Sequence, residues 1–378
     1  MAQTKFNDSI KIIQIYPFNN PVSSINTKSV VLAGMPYVTF SRFYKELMVI
    51  SRHTSAPYND RVVGIKADNK KEYYKNIVSL IKDLPEIPKV IEVHQDTTLA
   101  TIVSKTFGEK VSVSLIRHGP ALYRTFHERF KLIRIIYEKV FLSNLKFVFC
   151  ISEYATNSFK KNYPKSAYKF VTVYNTYGHI KQELLNTEPI KENIITFVGK
   201  PLKFKGIFIF LNAVIKFLQQ FNNWQGMIIG ARFSNKSKYG KVIQNLNKAK
   251  KQGELNKFLV YENLNINDVF LKMQKSKIVV VPCIVAEPFC LVALEGHMAG
   301  CVMITSGRGA LKEVSGDYAY YLDTLDVDTL LNTLKHIESN PKEAEEKAKL
   351  GQQRALEKFN PKILVTKLDN IRESLLNK

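Results

Sequence analysis

At 378 residues the chain is too long for one ordinary core and suits two domains of about 180 residues each. Its 45% hydrophobic and 11% aromatic content excludes a largely disordered protein, and no low-complexity segment or fixed-period repeat is visible. A formal charge of +22 and a pI near 9.6 call for an anionic partner, whether nucleic acid, a membrane surface or an anionic substrate.

The chain opens without a basic stretch followed by an apolar one and a small-residue cleavage site, which predicts a cytoplasmic protein. Strands are predicted at Ile10 to Tyr16, Val62 to Lys66, Val90 to His94, Val111 to Ile116, Phe147 to Ile151 and Phe170 to Tyr174, with helical stretches between them. Strands alternating with helices point to a parallel sheet. This half is the more basic one.

Thr125 to Ser143 reads as an amphipathic helix, with Phe126, Phe130, Ile133, Tyr137, Val140 and Phe141 near one stripe. Arg124, Arg129, Lys131, Arg134 and Lys139 fill much of the remainder, and Lys160, Lys161, Lys165 and Lys169 form a second basic cluster. The stripe can pack on the domain's own sheet, or the basic groups can meet an anionic membrane surface; both readings stay open.

Gln182 to Asn193 is polar, contains Pro189 and reads as the linker. Beyond it the strand pattern repeats at Ile194 to Gly199, Gly226 to Gly230, Phe258 to Tyr261, Ile278 to Pro282, Cys301 to Thr305 and Ala319 to Leu322. Ile278 to Ile304 is long and apolar enough to suggest a membrane span, but Pro282, Pro288, Gly296 and Gly300 interrupt it. Ionised side chains there would cost about 2.5 to 3.5 kcal/mol each in a bilayer. A soluble β-α-β unit accounts for it better, with Pro288 near a helix start and Glu287 at the carboxyl end of a strand, where open α/β sheets bind ligands. Glu287 and Glu295 are then two carboxylates inside an apolar stretch, a costly arrangement that packing alone does not explain.

Cys150, Cys283, Cys290 and Cys301 sit mostly in apolar runs without C-x-x-C spacing, so neither zinc nor redox chemistry is indicated. The tail from Asp326 is helical and heavily charged.

The stretch EPFCLVALEGHMAGCVMIT resembles the Glu, seven residues, Glu motif of retaining GT-B glycosyltransferases of family 4, with Cys290 where glycine is usual. IITFVGKPLKFKGIFIFLNAV, Ile194 to Val214, resembles the same family's strand, basic residue, loop and Lys-Gly block. VIEVHQD, VSLIRHG, FVFCISEYATNSF and FVTVYNTYG follow the family's order more loosely. Two departures stand out: NNPVSSINTKS replaces the usual glycine pair after the first strand, and Asn175 and Thr176 replace an Asn-Gly turn.

The resemblance implies an α/β fold of two Rossmann-like domains facing across a cleft, with a C-terminal helix crossing back to the N-terminal domain. The corresponding domains are 1–185 on the acceptor side, 186–355 for the nucleotide sugar, and 356–378 for that helix. It implies transfer of a sugar from a nucleotide-sugar co-substrate, UDP- or GDP-linked, to a hydroxyl of a cell-surface glycan or glycolipid such as a lipopolysaccharide core, with an alpha linkage. His118 and Glu287 would act on the donor sugar. Lys200, Lys205, Phe289, Cys290, Leu291 and Glu295 would bind the donor, and no metal or further cofactor is implied. Contact with an anionic membrane at the inner face of the cell membrane is an open expectation, and nucleic acid is not an expected partner. The alternatives are a non-catalytic binder of nucleic acid or anionic lipid, and a GT-B nucleotide-sugar epimerase.

Overall fold

Runs of Val and Ile that are apolar at every position suit strands covered on both faces. In the computed structural model of the protein these runs build two sheets whose strands pair in parallel throughout. The structure describes residues 9–25, 27–119, 138–187, 190–230, 253 and 256–377. Contacts divide the chain into two units, Met1–His179 with Pro361–Lys378, and Ile180–Asn360.

The first unit holds β1 (Ile12–Ile15), β2 (Leu47–Arg52), β3 (Val62–Ile65), β4 (Val90–His94), β5 (Ser112–Arg117), β6 (Val148–Cys150) and β7 (Phe170–Thr172), in the order β3-β2-β1-β4-β5-β6-β7. The chain order reverses at β1 and β4, the switch point at which such sheets open a crevice. β2 was not among the expected strands. Its run, LMVISR, follows helical sequence without a Gly or Pro to mark the change, yet five of its six residues are buried. Helices Lys70–Lys82, Thr97–Phe107 and Glu153–Asn162 begin at Asn69, Asp96 and Ser152, whose side chains accept from the amides of Glu72, Leu99 and Ala155.

The last helix, Pro361–Leu376, packs on the first unit, as expected for a helix that crosses back. Leu375 joins the core of Ile12, Tyr16, Val31 and Val49. On the same helix Asp369 accepts from Ser41 Oγ at 2.8 Å and from the Arg42 amide at 2.9 Å.

Most of the expected amphipathic helix at 125–143 lies outside the described residues. What is described is a helical turn, Glu138–Leu142, followed by Leu145, with Leu142 and Leu145 buried in the first unit's core. Of the second basic cluster, Lys160, Lys161 and Lys165 are exposed, whereas Lys169 is not a surface charge at all. Its Nζ donates to the carbonyls of Leu142, Ser143 and Leu145 at 2.7 to 2.8 Å, closing a turn end from inside. Among the described residues no helix is long and apolar enough to cross a membrane.

The second unit holds β8 (Glu192–Val198), β9 (Gln225–Ile229), β10 (Phe258–Tyr261), β11 (Ser276–Val281), β12 (Val302–Thr305) and β13 (Ala319–Tyr321), ordered β10-β9-β8-β11-β12-β13. Here the order reverses at β8 and β11. Helix Ile207–Leu218 buries Phe210, Val214 and Phe217 in one core with Leu330, Leu334 and Ile337 of helix Val327–Ser339. Helix Pro341–Lys358 lies against helix Leu291–Met298, and a Cβ at Gly351 would come within 2.5 Å of His297 Nδ1, so this close approach depends on glycine.

Candidate functional site

Three loops meet at the carboxyl ends of β8, β11 and β12. After β8, Gly199 and Lys200 lead into a short turn, Lys203–Lys205, and then Gly206 at φ 78°. A Cβ at Gly206 would stand 2.0 Å from the Pro282 carbonyl, so only glycine lets this loop lie against the one after β11. The two loops are stitched together by the Ile284 amide, which donates to the Phe204 carbonyl at 2.8 Å.

Glu287 stands on the loop after β11 and is 7% exposed. Its backbone is clamped by the loop after β12: its amide donates to the Arg308 carbonyl at 3.3 Å, and the Ala310 amide donates to its carbonyl at 2.8 Å. Gly309 sits between them at φ 70°, where a Cβ would collide with the Glu287 carbonyl at 2.2 Å. The side chain is held as firmly. Lys205 Nζ donates to Glu287 Oε1, and Cys283 Sγ donates to the same oxygen at 3.0 Å.

Burial alone would pull the Lys205 ammonium down, but the attraction of Glu287 outweighs it and the amine is held protonated above its ordinary value. Burial, with neighbouring Cys290 and the Glu287 charge adding to it, pushes the Cys283 thiol well up, so this sulfur is a neutral donor. The loops thus fix one cation and one carboxyl at a sheet switch point, beside the start of helix Leu291–Met298.

Cys290 begins that helix with φ 81° and ψ 87°, a left-handed conformation rare for any residue with a Cβ. The position where the resembled motif has glycine therefore keeps a glycine-type backbone under a cysteine side chain. Burial, followed by the Glu287 charge, pushes the Cys290 thiol up to about 12. Phe289 is buried, its ring edge-on to Phe359 at 5.5 Å. Leu291 is half-buried at the helix start, and Glu295, one turn further, is 4% exposed.

Lys200 is exposed, and its side chain makes no hydrogen bond or ion pair among the described residues. The structure thus joins Lys205 to Glu287 directly and leaves Lys200 apart from that pair. Arg308 was not anticipated. Its guanidinium donates to the Ile284 carbonyl, bridging the second and third loops. The SGRG sequence directly after β12, glycines flanking an arginine at a strand end, is the signal that could have found it. Among the described residues no group of three or more His, Cys, Asp or Glu is arranged to hold a metal ion.

His118 follows β5 in the first unit. His94, at the end of β4, lies beside it, with His94 Nδ1 and His118 Nε2 2.9 Å apart and the rings stacked at 5.1 Å. His94 Nε2 faces Gln14 Oε1 at 3.4 Å, Gln14 Nε2 donates to Glu92 at 2.8 Å, and Glu92 is paired with Arg372. Tyr16 stacks on His94 from the other side at 4.0 Å. Burial, aided by the Arg117 charge, lowers His118 to about 3, and burial lowers His94 well below its ordinary value. Both rings are neutral at physiological pH. His94 is thus a partner of His118.

Residues 181–354, nearly all of the second unit, match the family described as glycosyl transferases group 1. No curated protein is significantly similar in sequence. Among solved structures, the fold is similar to that of HepE from Anabaena in complex with UDP, at 12% identity and a TM-score of 0.73, covering 97% of this chain and 100% of that one. It is also similar to sucrose-phosphate synthase from Thermosynechococcus elongatus, at 14% identity and a TM-score of 0.77, covering 97% and 99%. A UDP-forming trehalose-phosphate synthase from Burkholderia xenovorans gives 10% identity and a TM-score of 0.70, covering 98% and 99%. At these identities the likeness establishes the two-sheet α/β fold, GT-B.

Proposed function

We propose that the chain is a glycosyltransferase that moves a sugar from a nucleotide-sugar donor to an acceptor hydroxyl. The family match over the second unit and the GT-B fold support a glycosyltransferase, and the neighbours solved with UDP and UDP-glucose support a nucleotide-sugar donor. The observation that carries the reading is the pair of half-buried Lys205 and buried Glu287 at the carboxyl ends of β8 and β11, within the matched stretch. A cation fixed there is suited to the negative charge that develops on a departing nucleoside diphosphate.

In this reading the acceptor oxygen bonds to the anomeric carbon as the bond to the phosphate oxygen breaks. The departing phosphate takes the acceptor's proton on the same face, so the sugar keeps its configuration and the linkage is alpha. Lys205 lowers the cost of the leaving charge without a divalent cation, and Lys200 adds to the positive field around the diphosphate. Glu287 accepts from donor-sugar hydroxyls, Glu295 from the ribose hydroxyls, and His118 is assigned to the donor sugar by the resemblance alone. Backbone amides at Phe289, Cys290 and Leu291 reach phosphate or sugar.

The donor is a UDP- or GDP-sugar, and the acceptor is a cell-surface glycan or lipid-linked saccharide. That class suits a basic first unit bearing exposed Lys160, Lys161 and Lys165, which can also meet anionic lipid headgroups.

The test is calorimetric binding of UDP-, GDP-, ADP- and CMP-sugars to the wild type and to Glu295→Ala without added metal. Selective binding that the variant loses supports the reading. Absence of nucleotide binding, with tight salt-sensitive binding to RNA or anionic vesicles, would instead favour a polyanion binder.

A further inference from the structure

Five side chains form an unbroken hydrogen-bonded chain from the last helix to the carboxyl end of β5: Arg372, Glu92, Gln14, His94 and His118. The first four are at most 1% exposed, so solvent cannot supply alternative partners. Each link restricts the direction of the next.

The guanidinium of Arg372 has only donors, and it gives Nε to Glu92 Oε1 at 2.9 Å and Nη2 to Oε2 at 2.7 Å. Oxygens that already accept from Arg372 also accept from Gln14, whose Nε2 lies 2.8 Å from Oε2. That contact fixes the amide's orientation, because the flipped form would set two acceptors against each other. Gln14 Oε1 therefore faces His94 Nε2, and an amide oxygen can only accept, so the His94 proton is on Nε2. A neutral imidazole carries one N–H, which leaves His94 Nδ1 as an acceptor. His118 Nε2, 2.9 Å away, must donate to it. The other ring nitrogen, His118 Nδ1, is buried and has no hydrogen-bond partner among the described residues.

We infer that Gln14 and His94 are positioning residues that lock His118 into one tautomer, Nε2 protonated and Nδ1 bare. Nδ1 thereby has no proton to give. Resting on the glycosyltransferase reading, His118 takes no part in protonating the leaving group.

The full-length protein, labelled with 15N-histidine, reports each ring's tautomer through its nitrogen shifts and couplings, with His118 assigned by its loss in His118→Gln. We expect a protonated Nε2 and a bare Nδ1, unchanged from about pH 8 to about pH 5. In Gln14→Met the signal should split or shift towards the other tautomer, and His94→Phe supplies an independent break in the chain. A protonated Nδ1 in the wild type, or a wild-type tautomer in both variants, would overturn the inference.

Adding UDP-glucose and GDP-mannose separates the lock from the transferase reading. If the tautomer is as assigned but neither sugar nucleotide binds by calorimetry, the positioning chain stands and the transferase reading falls. A proton that moves to Nδ1 when a sugar nucleotide binds would overturn the lock.

Discussion

Arg372 on the last helix grips Glu92 in the middle of β4 through two parallel hydrogen bonds of 2.9 and 2.7 Å, and both side chains are about 1% exposed. The chain separation between them is 280 residues. A buried two-point pair of this kind is costly to form and more costly to break, because the surviving charge stays inside.

Arg372→Met should therefore destabilise the protein by about 3 to 5 kcal/mol, read from urea unfolding. Arg372 also pairs with buried Asp369 at 2.8 Å, so the triple variant Arg372→Met, Glu92→Gln, Asp369→Asn, which removes all three charges together, should recover much of that loss. Equal destabilisation by the single and triple variants would show that the charge of the cluster is not what matters.

Lys205→Ala should lower turnover about 10²- to 10³-fold once a donor is identified, with a smaller change in KM, because the lost cation acts mainly on charge that appears in the transition state. Steady-state kinetics measure this, and a thermal melt shows whether the variant remains folded. A variant with unchanged kcat would remove Lys205 from the chemistry.

Cys290→Gly should raise stability by about 1 kcal/mol, because glycine adopts the left-handed backbone at φ 81° without a Cβ penalty. Cys290→Val should lower it by a similar amount, since a branched Cβ fits that region worst. The urea midpoints of the two variants, compared with wild type, decide the sign.

Acid should destabilise the protein earlier than carboxylate titration alone would. His118 and His297 have folded values near 3 against ordinary values of 6.5, for each of which burial is the leading cause, and His94 is shifted in the same direction. Between these limits the unfolded chain binds protons that the native one refuses. Stability is thus fully present above about pH 6.5 and falls as pH drops towards 3, by about 1.4 kcal/mol per pH unit for each histidine involved. Urea midpoints across pH 7.5 to 4 measure the slope, and a flat profile would mean the rings are charged in the native state.

Much of this architecture could be read directly. IVVV, VMIT and VIEVH are runs whose β-branched residues and flanking Gly or Pro mark buried strands, and the structure puts strands there. LMVISR escaped because helix and strand adjoin without punctuation, and only pairing with β1 reveals it. The site was legible as residue types at strand ends, not as contacts. Lys205 and Glu287 each occupy recognisable positions, but nothing local says that they touch across 82 residues. Lys169 misled for a related reason: a lysine in a basic stretch looks like surface charge, and its three carbonyl partners come from a turn more than twenty residues earlier.

The return of the last helix to the first unit also sets an order of events during synthesis. The ribosome finishes the first unit's strands early, yet Glu92 lacks its cation until Arg372, 280 residues later, has emerged. The second unit, made later, is complete first. A nascent chain would then carry a closed second unit and an open first one, and a truncation ahead of Arg372 would damage a sheet made long before it.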